Sequence, residues 1–415
     1  MVVAVSDILS FGRDREPRRR RWQLAIAMVG IAVALAAVVI WHLPGPRPHG
    51  GRWGSGAVGP SPLRHGGPGS LNAAPSLLPA EPARMRGQPL PRSARLWVLL
   101  GGHRPAWLSV GDGRTEPIGG LPGSGNGYQF FRIAGGWAAQ PFPIGNAACA
   151  SCAPRPLPVY YIADRSPVAG RIGAAGFTAP AATPGALWLV SYMRGAKMRT
   201  GVGTAREVGV TGAMLGPRLR LPAGYVIDQG TRAGLLLVQA LAGSGPVRYE
   251  LWDPGTRRVT RSFENLIAAS PAEVAWMPGC TARCRVRVLD LPGGRAGEIS
   301  LPGRSKTYAG AFSPDGRLLA LLVTTRMTAA GRSPAFRLMV ATVASRHITP
   351  VPGTTIAGRA GIVFGWQPRS HQLIADVGVG NQWQIAVWRP GQARLFTALA
   401  RAPYDSWPVI DQGPY

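Results

Sequence analysis

The sequence has very little lysine and few acidic residues. Only Lys197 and Lys306 among its 46 basic residues are lysine, and 19 aspartates and glutamates leave a formal net charge of +27. Such a charge raises nucleic acid as a partner. The arginines are spread along the whole chain, however, and no basic cluster carries interleaved aromatic residues on which bases could stack. We therefore attribute the charge to a general use of arginine in place of lysine, and we predict no nucleic-acid partner.

Charged residues that favour helices are scarce, at 16% of the chain, whereas there are 56 glycines, 40 prolines and 13 tryptophans. This composition is typical of many short strands joined by turns. Motifs of catalysis and metal binding are missing as well. The six histidines show no H-E-x-x-H spacing, there is no G-x-S-x-G motif, and no helix follows the glycine-rich residues 123–127 to bind phosphate. We predict no cofactor, no metal and no catalytic residue.

An apolar run near the start of the chain predicts one transmembrane helix. Residues 1–21 form a basic tail that ends in four arginines, and residues 24–40 carry no charge. With its flanking tryptophans the run covers residues 22–43, which is long enough to span a bilayer, and the arginines hold the tail in the cytoplasm. A cleaved signal peptide and a twin-arginine signal are the alternatives. We expect an uncleaved single-pass anchor in the cell membrane, with the rest of the chain on the extracytoplasmic side.

Residues 44–93 predict a disordered linker, because proline, glycine, serine and arginine dominate them and large apolar side chains are few. As a flexible coil, about fifty residues would span roughly 40 Å. We expect this segment to hold the domain formed by residues 94–415 away from the membrane.

The domain repeats one pattern of strands and turns with a period of roughly 40–50 residues. Hairpins with polar turns lie near Asp112, Asp164, Met214, Pro254, Gly293, Ser345 and Gly391. A second strand–turn–strand element alternates with them and begins near Tyr128, Phe177, Tyr225, Leu266, Tyr308 and Ile362. This repeat predicts seven units of four strands, which a β-sandwich would not give.

The seventh unit is split between the two ends of the domain. Residues 96–100 form a strand with no first strand before them, and residues 407–412 form a first strand with no second strand after them. The pentapeptide Val-Ile-Asp-Gln-Gly occurs at equivalent places, 226–230 and 409–413. Pairing the two ends closes a ring and leaves only short edges. We therefore predict an all-β fold, a seven-bladed β-propeller of four-stranded blades that a C-terminal strand closes by pairing with the first blade.

Two motifs support this fold by resemblance. Residues 313–320, Ser-Pro-Asp-Gly-Arg-Leu-Leu-Ala, resemble the repeat of TolB-type and WD-repeat propellers, and Trp252-Asp253 resembles the Trp-Asp dipeptide of the WD-repeat family. With its anchor, the chain looks like a single-pass, membrane-anchored bacterial propeller. The resemblance implies a propeller that serves as a binding platform, and it carries over no catalytic residue.

The four cysteines form two close pairs, Cys149 with Cys152 and Cys280 with Cys284. Two local disulfides, a redox pair and one shared zinc site are the alternatives. The pairs fall between the second and third strands of blades 2 and 5, on opposite sides of the ring, so one metal could not bind all four. Because the compartment outside the membrane is oxidising, we favour two structural disulfides.

Several polar residues near the ends of predicted innermost strands are candidates for facing the central channel. They are Asp228, Gln229, Asp411 and Gln412 and, placed similarly, Asp315, Asp376 and Asp405. The alternative, which we favour, is that these side chains cap turns by hydrogen bonds to the backbone. A propeller enzyme would need a convergent set of acid, arginine and histidine, and the sequence does not assemble one.

Five tryptophans lie in predicted strands or at their ends: Trp276, Trp366, Trp383, Trp388 and Trp407. We expect most to pack between blades, and one or two at the channel mouth to bind a sugar or a peptide. The sequence thus predicts a non-catalytic binding or scaffolding platform for a protein, a peptide or an envelope polymer. The alternative is a cell-envelope hydrolase or lyase whose active site lies at the channel mouth.

Overall fold

The computed structural model describes residues 84–410 apart from 92, 126, 143–152, 194–195, 198–199, 240–246, 280–282, 327–334, 358–361, 369–370, 380–381 and 402–405. This part of the chain contains strands and turns and no helix. Accordingly, no helix within these ranges has the length and apolar character of a membrane span. The predicted tail and anchor, and the predicted linker up to residue 83, lie outside the described residues.

The strands form seven sheets, and each sheet is one blade of a propeller. From the centre outward, blade 1 contains β30 (Trp407–Val409), β2 (Trp97–Gly101), β3 (Ala106–Ser109) and β4 (Thr115–Pro117). Blade 2 contains β5 (Tyr128–Ile133), β6 (Gly136–Pro141), β7 (Leu157–Ala163) and β8 (Ala169–Ala175). Blade 3 contains β9 (Phe177–Pro180), β10 (Ala186–Ser191), β11 (Thr204–Gly209) and β12 (Leu219–Arg220).

The remaining four blades follow in chain order. Blade 4 contains β13 (Tyr225–Thr231), β14 (Gly234–Gln239), β15 (Arg248–Asp253) and β16 (Arg258–Glu264). Blade 5 contains β17 (Leu266–Ala269), β18 (Glu273–Trp276), β19 (Arg285–Asp290) and β20 (Ala296–Ser300). Blade 6 contains β21 (Thr307–Phe312), β22 (Leu318–Arg326), β23 (Ala335–Thr342) and β24 (Ile348–Pro350), with β25 (Ile356–Ala357) also paired to β23. Blade 7 contains β26 (Ile362–Trp366), β27 (Leu373–Val379), β28 (Gln382–Trp388) and β29 (Phe396–Ala400).

The two ends of the domain meet in blade 1, as the sequence predicts. Strand β30 pairs antiparallel with β2, with Val409 opposite Leu99 and Trp407 opposite Gly101. A Cβ atom on Gly101 would lie 2.7 Å from Nε1 of Trp407, so the absence of a side chain there lets the indole cross the strand. The seven-bladed propeller and its closure by a C-terminal strand are confirmed.

Buried apolar residues fill the space between every pair of neighbouring blades. Between blades 7 and 1, for example, Ile374 and Ile385 pack with Leu100 and Leu108. Equivalent clusters join the other neighbours around the ring. Because this burial supplies the dominant favourable term in folding, the interfaces between blades hold the ring together.

The Ser-Pro-Asp-Gly motif forms the turn between β21 and β22. The Gly316 amide donates to the Ser313 carbonyl at 2.8 Å, and the Ser313 hydroxyl donates to Oδ1 of Asp315 at 2.6 Å. Gly316 has a φ of 71°, a left-handed conformation that favours glycine. Asp315 therefore stabilises its turn, as in the alternative we favoured from the sequence.

The end of the predicted linker forms part of the propeller. Strand β1 (Gln88–Pro89) pairs parallel with β29 as a fifth strand of blade 7, and Met85 is 2% exposed. The amides of Arg86, Gln88 and Leu90 donate to the carbonyls of Gly353, Leu395 and Thr397. The predicted boundary at residue 93 is therefore too late. Composition does not predict that this segment is ordered, because backbone hydrogen bonds and one buried side chain hold it in place.

Candidate functional site

A cleft of about 220 Å³ lies where blades 7, 1 and 2 meet. It opens at the face of the ring where the innermost strands end. Trp366, the last residue of β26, Val409, the last residue of β30, and Arg132, near the end of β5, all line it. One site thus receives residues from two consecutive blades near the start of the domain and from blade 7 near its end.

Four tryptophans line this cleft: Trp97, Trp107, Trp137 and Trp366. Three of them are buried, and Trp97 alone is half-buried. Nε1 of Trp107 donates to the Ser166 carbonyl at 2.8 Å, and Nε1 of Trp366 donates to the Ala311 carbonyl at 2.9 Å. These bonds fix two of the rings, whereas Trp97 presents part of its ring to solvent. We call this site the tryptophan cleft.

An ion pair lies in the wall of the tryptophan cleft. Arg132 and Asp164 form a two-point contact, with Nη2 of Arg132 2.7 Å from Oδ2 of Asp164. Their side chains are 7% and 25% exposed. The guanidinium carbon of Arg132 also lies 5.0 Å from the centroid of the Trp137 ring. Because a fork-shaped guanidinium satisfies both carboxylate oxygens, Asp164 is held as a structural partner.

Two further arginines line the cleft on its exposed side. The guanidinium carbon of Arg165 lies 5.0 Å from the centroid of the Trp97 ring, a cation–π distance. Arg95 lines the cleft beside it. Both side chains are exposed, and no carboxylate of the described residues forms an ion pair with either of them. Arg114 also contacts Trp97, at 6.0 Å, but it is paired with Glu116.

The predicted channel residues Asp228 and Gln229 lie on β13, the innermost strand of blade 4. The pairing with β14 shifts register between Ile227 and Gln229, so Asp228 is the extra residue of a β-bulge. Burial raises the pKa of Asp228 to about 6, and burial together with the Asp228 charge raises the pKa of Tyr249. Gln229 is 3% exposed. Asp411 and Gln412 lie outside the described residues, as does Asp405, so the expectation that equivalent residues face the channel stays a prediction.

Asp376 does not lie at the end of an innermost strand, as the sequence pattern predicted. It belongs to β27, the second strand of blade 7, rather than to the end of an innermost strand. It is 1% exposed, and neither carboxyl oxygen makes a hydrogen bond within the described part of the chain. The second-strand position directs this carboxyl into the apolar space between blades. Asp376 is therefore buried within blade 7 and does not face a solvated channel.

Cys284 is the one cysteine that the structure describes. It is 4% exposed, it takes part in a disulfide, and it precedes β19 in blade 5. Cys149, Cys152 and Cys280 lie outside the described residues, so the two predicted pairings stay predictions. Within the described ranges, no group of three or more histidine, cysteine or acidic residues is placed to bind a metal ion.

The sequence pattern pointed to only one of the four tryptophans of the cleft. Trp366 is among the five tryptophans it selected, and Trp366 and Trp388 pack between blades 6 and 7 as expected. It passed over Trp97, Trp107 and Trp137. A signal was available, since Trp97 and Trp137 both lie at the start of the second strand in consecutive blades. Superposing the repeats puts these two residues at similar positions in neighbouring blades, although it does not show that they line one cleft.

Comparisons with known proteins support no closer assignment than the fold. No model of a protein family matches the sequence, and no curated protein is similar to it. An acylaminoacyl peptidase matches at a TM-score of 0.48 and 9% identity, over 71% of this chain and 47% of that one. The β-propeller domain of the Trilobed protease from Pyrococcus furiosus matches at 0.43 and 8%, over 66% and 82%. TolB from Acinetobacter baumannii matches at 0.37 and 12%, over 72% and 76%. Likeness at this level carries no argument about ligand or activity.

Proposed function

We propose that this propeller is a non-catalytic binding platform for a protein, a peptide or an envelope polymer, and that its ligand docks in the tryptophan cleft. The observation that carries the proposal is Trp97, a half-buried ring with the Arg165 guanidinium over it at the opening of the cleft. Tryptophan and arginine are the residues that most often dominate the energy of protein interfaces. A partly exposed tryptophan held among buried ones supplies such an anchor.

The same residues argue against catalysis in the cleft. Among the described residues that line the cleft, Asp164 is the one carboxylate, and Arg132 occupies both of its oxygens. A hydrolase or lyase needs an acid or base that is available to exchange a proton with its substrate. A carboxylate tied to an arginine orients the wall instead, which favours binding over the envelope-enzyme alternative.

We further propose that residues 22–43 anchor the propeller in the cell membrane and that residues 44–83 carry it into the extracytoplasmic space. The charge-free run and the preceding arginines support this orientation. Protease added to intact cells should then degrade the propeller, whereas an epitope tag at the N-terminus should survive until the membrane is opened.

Capture of a partner by the wild-type protein and by two tryptophan variants tests the binding site. The full-length protein is purified from detergent-solubilised membranes, and the recovered partner is then titrated against each variant. Trp97→Ala should weaken binding by more than about tenfold, as expected for loss of an anchor residue. Trp276→Ala is the matched control, because Trp276 in blade 5 is also half-buried but packs against Phe263 of blade 4, away from the cleft.

Equal affinity of the two variants for the partner would overturn the assignment of the cleft. Hydrolysis or elimination of an envelope polymer by the purified protein would support the enzyme alternative instead. Thermal unfolding of each variant shows whether the substitution has disturbed the fold.

A further inference from the structure

We infer that the ligand of the tryptophan cleft is an acidic peptide segment of a partner protein, with a large apolar side chain next to its carboxylates. The inference rests on the proposed function and adds the chemistry of the ligand to it. Its support comes from the two exposed arginines, from the size of the cleft and from the hydrogen bonds that its wall already makes.

The charge of the cleft favours a negative ligand. Among the residues that the structure describes, Arg95, Arg132 and Arg165 line it together with one acid, Asp164. Arg132 neutralises that acid, and no carboxylate of the described residues is paired with Arg95 or Arg165. A guanidinium binds a carboxylate through two parallel hydrogen bonds. Two carboxylates of a ligand can thus each meet one arginine.

The turn between β7 and β8 places the Arg165 side chain at the cleft. The φ of Arg165 is 62°, in the left-handed region that non-glycine residues adopt at a cost of about 1–3 kcal/mol. Glycine would adopt the same backbone without that strain. Arg257 and Arg346 adopt the same conformation in the turns of other blades, so what distinguishes Arg165 is the position of its guanidinium over the Trp97 ring.

The size and the wall of the cleft favour a side chain of a peptide over a sugar. A volume of about 220 Å³ is smaller than the roughly 300–1,000 Å³ of sites for whole small molecules, and it suits one large apolar side chain. Sugar hydroxyls inside the cleft would need free hydrogen-bonding groups in its buried wall, and not only the exposed arginines. The indole N–H groups of Trp107 and Trp366 already donate to backbone carbonyls, and Arg132 and Asp164 bind each other.

A random peptide library displayed on phage tests the inference with the full-length protein as bait. Peptides that the wild-type protein retains and Trp97→Ala releases are sequenced. We expect these cleft-dependent peptides to be enriched in glutamate and aspartate next to an aromatic or a large aliphatic residue. Added salt should weaken their binding, because exposed charges are screened.

The most enriched peptide is then titrated against arginine variants. Arg95→Gln combined with Arg165→Gly should weaken its binding by about tenfold or more, since each arginine makes a charge-assisted hydrogen bond. Glycine suits the backbone of residue 165, so a loss of binding would not reflect a strained turn. The control, Arg258→Gln combined with Arg261→Gln on the exposed outer strand of blade 4, removes the same charge far from the cleft and should leave binding unchanged.

The outcomes separate the two proposals. The inference of an acidic ligand would be wrong if the cleft-dependent peptides lacked acidic residues, or if the two double variants bound the peptide equally. In either case the cleft would still be the binding site. If the library yields no cleft-dependent peptide and an anionic polysaccharide binds in the cleft instead, the inference that the ligand is a peptide would be wrong. If no ligand of either kind distinguishes Trp97→Ala from the wild type, the proposed function fails as well.

Discussion

The side-chain amide of Gln384 binds both backbone polar groups of Met85. Its Oε1 accepts from the Met85 amide at 2.7 Å and its Nε2 donates to the Met85 carbonyl at 2.8 Å, although the two residues are 299 positions apart. Gln384 is 6% exposed and Met85 is 2% exposed. The contact fixes the start of the described chain to blade 7, next to the blade in which the ring closes.

Gln384→Leu should therefore destabilise the propeller. Leucine has a similar volume but leaves a buried N–H and a buried C=O without partners, which costs about 1–3 kcal/mol for each group. We expect the free energy of unfolding, measured by urea titration, to fall by about 2–4 kcal/mol. Gln382→Leu, at the half-buried start of the same strand, should have a small effect. Equal effects of the two variants would contradict the role of Gln384.

Asp376 should make stability depend on pH. Burial raises the pKa of this carboxyl well above its ordinary value, and the nearby Val363 amide opposes the shift only in part. The folded state thus holds the proton more tightly than the unfolded state does. The stability that this proton contributes is complete below the ordinary pKa near 4, and it is lost as the pH rises towards the folded-state value.

The variant Asp376→Asn keeps the shape of the side chain and cannot ionise. We expect it to match the wild type at acid pH and to become progressively more stable than the wild type towards neutral pH, in urea titrations at a series of pH values. Asp253→Asn is the control, because folding shifts the pKa of Asp253 in the opposite direction. Hydrogen bonds from Thr256 and Gly255 lower the pKa of Asp253, so its contribution is lost as the pH falls. Parallel pH profiles for Asp376→Asn and the wild type would contradict the assignment.

Equivalent turns carry glycine in some blades and arginine in others. The fourth residue after the third strand is left-handed in blades 1, 4, 5 and 6, where it is Gly113, Arg257, Gly294 and Arg346, with φ of 73°, 57°, 64° and 60°. The turn rather than the side chain requires this conformation. Arg257→Gly relieves the backbone strain of the folded state but gives the unfolded chain more conformational freedom. Because the first effect is the larger, the substitution should raise the free energy of unfolding by about 0.5–1 kcal/mol.

Arg258→Gly tests the same change one residue later, at the first position of β16. Glycine in a strand lowers stability by about 0.5–1 kcal/mol, so the two neighbouring substitutions should shift the unfolding midpoint in opposite directions. A loss of stability in both would show that Arg257 makes a contribution beyond its backbone conformation.

The architecture could be predicted because its determinants are local and repeated. The Ser313–Gly316 turn and the hairpins near Asp112 and Gly391 each follow from a few neighbouring residues. The closure followed from the repeat itself, since one unit lacked its first strand and the chain ended in a spare one. The linker boundary was wrong because Met85 is held by Gln384, a contact that composition cannot reveal.

The cleft could not be predicted in the same way. Trp97, Trp137 and Trp366 come from three blades, and only the closed ring brings them together. Each of them taken singly has the pattern of a core residue. The ion pair of Arg132 and Asp164 links the first and third strands of blade 2 and depends on their alignment in space. The position of Asp376 was predicted wrongly because the pattern around it did not show whether it belongs to the first or the second strand of blade 7.

Hydrogen–deuterium exchange of the propeller with and without the most enriched library peptide tests the central claim most directly. We predict that the peptide slows exchange at residues 95–99, 132–137, 164–166 and 365–368, which belong to blades 1, 2 and 7 and surround the tryptophan cleft. Slower exchange confined to blades 3–6, with those four segments unchanged, would contradict the claim that the cleft is the binding site.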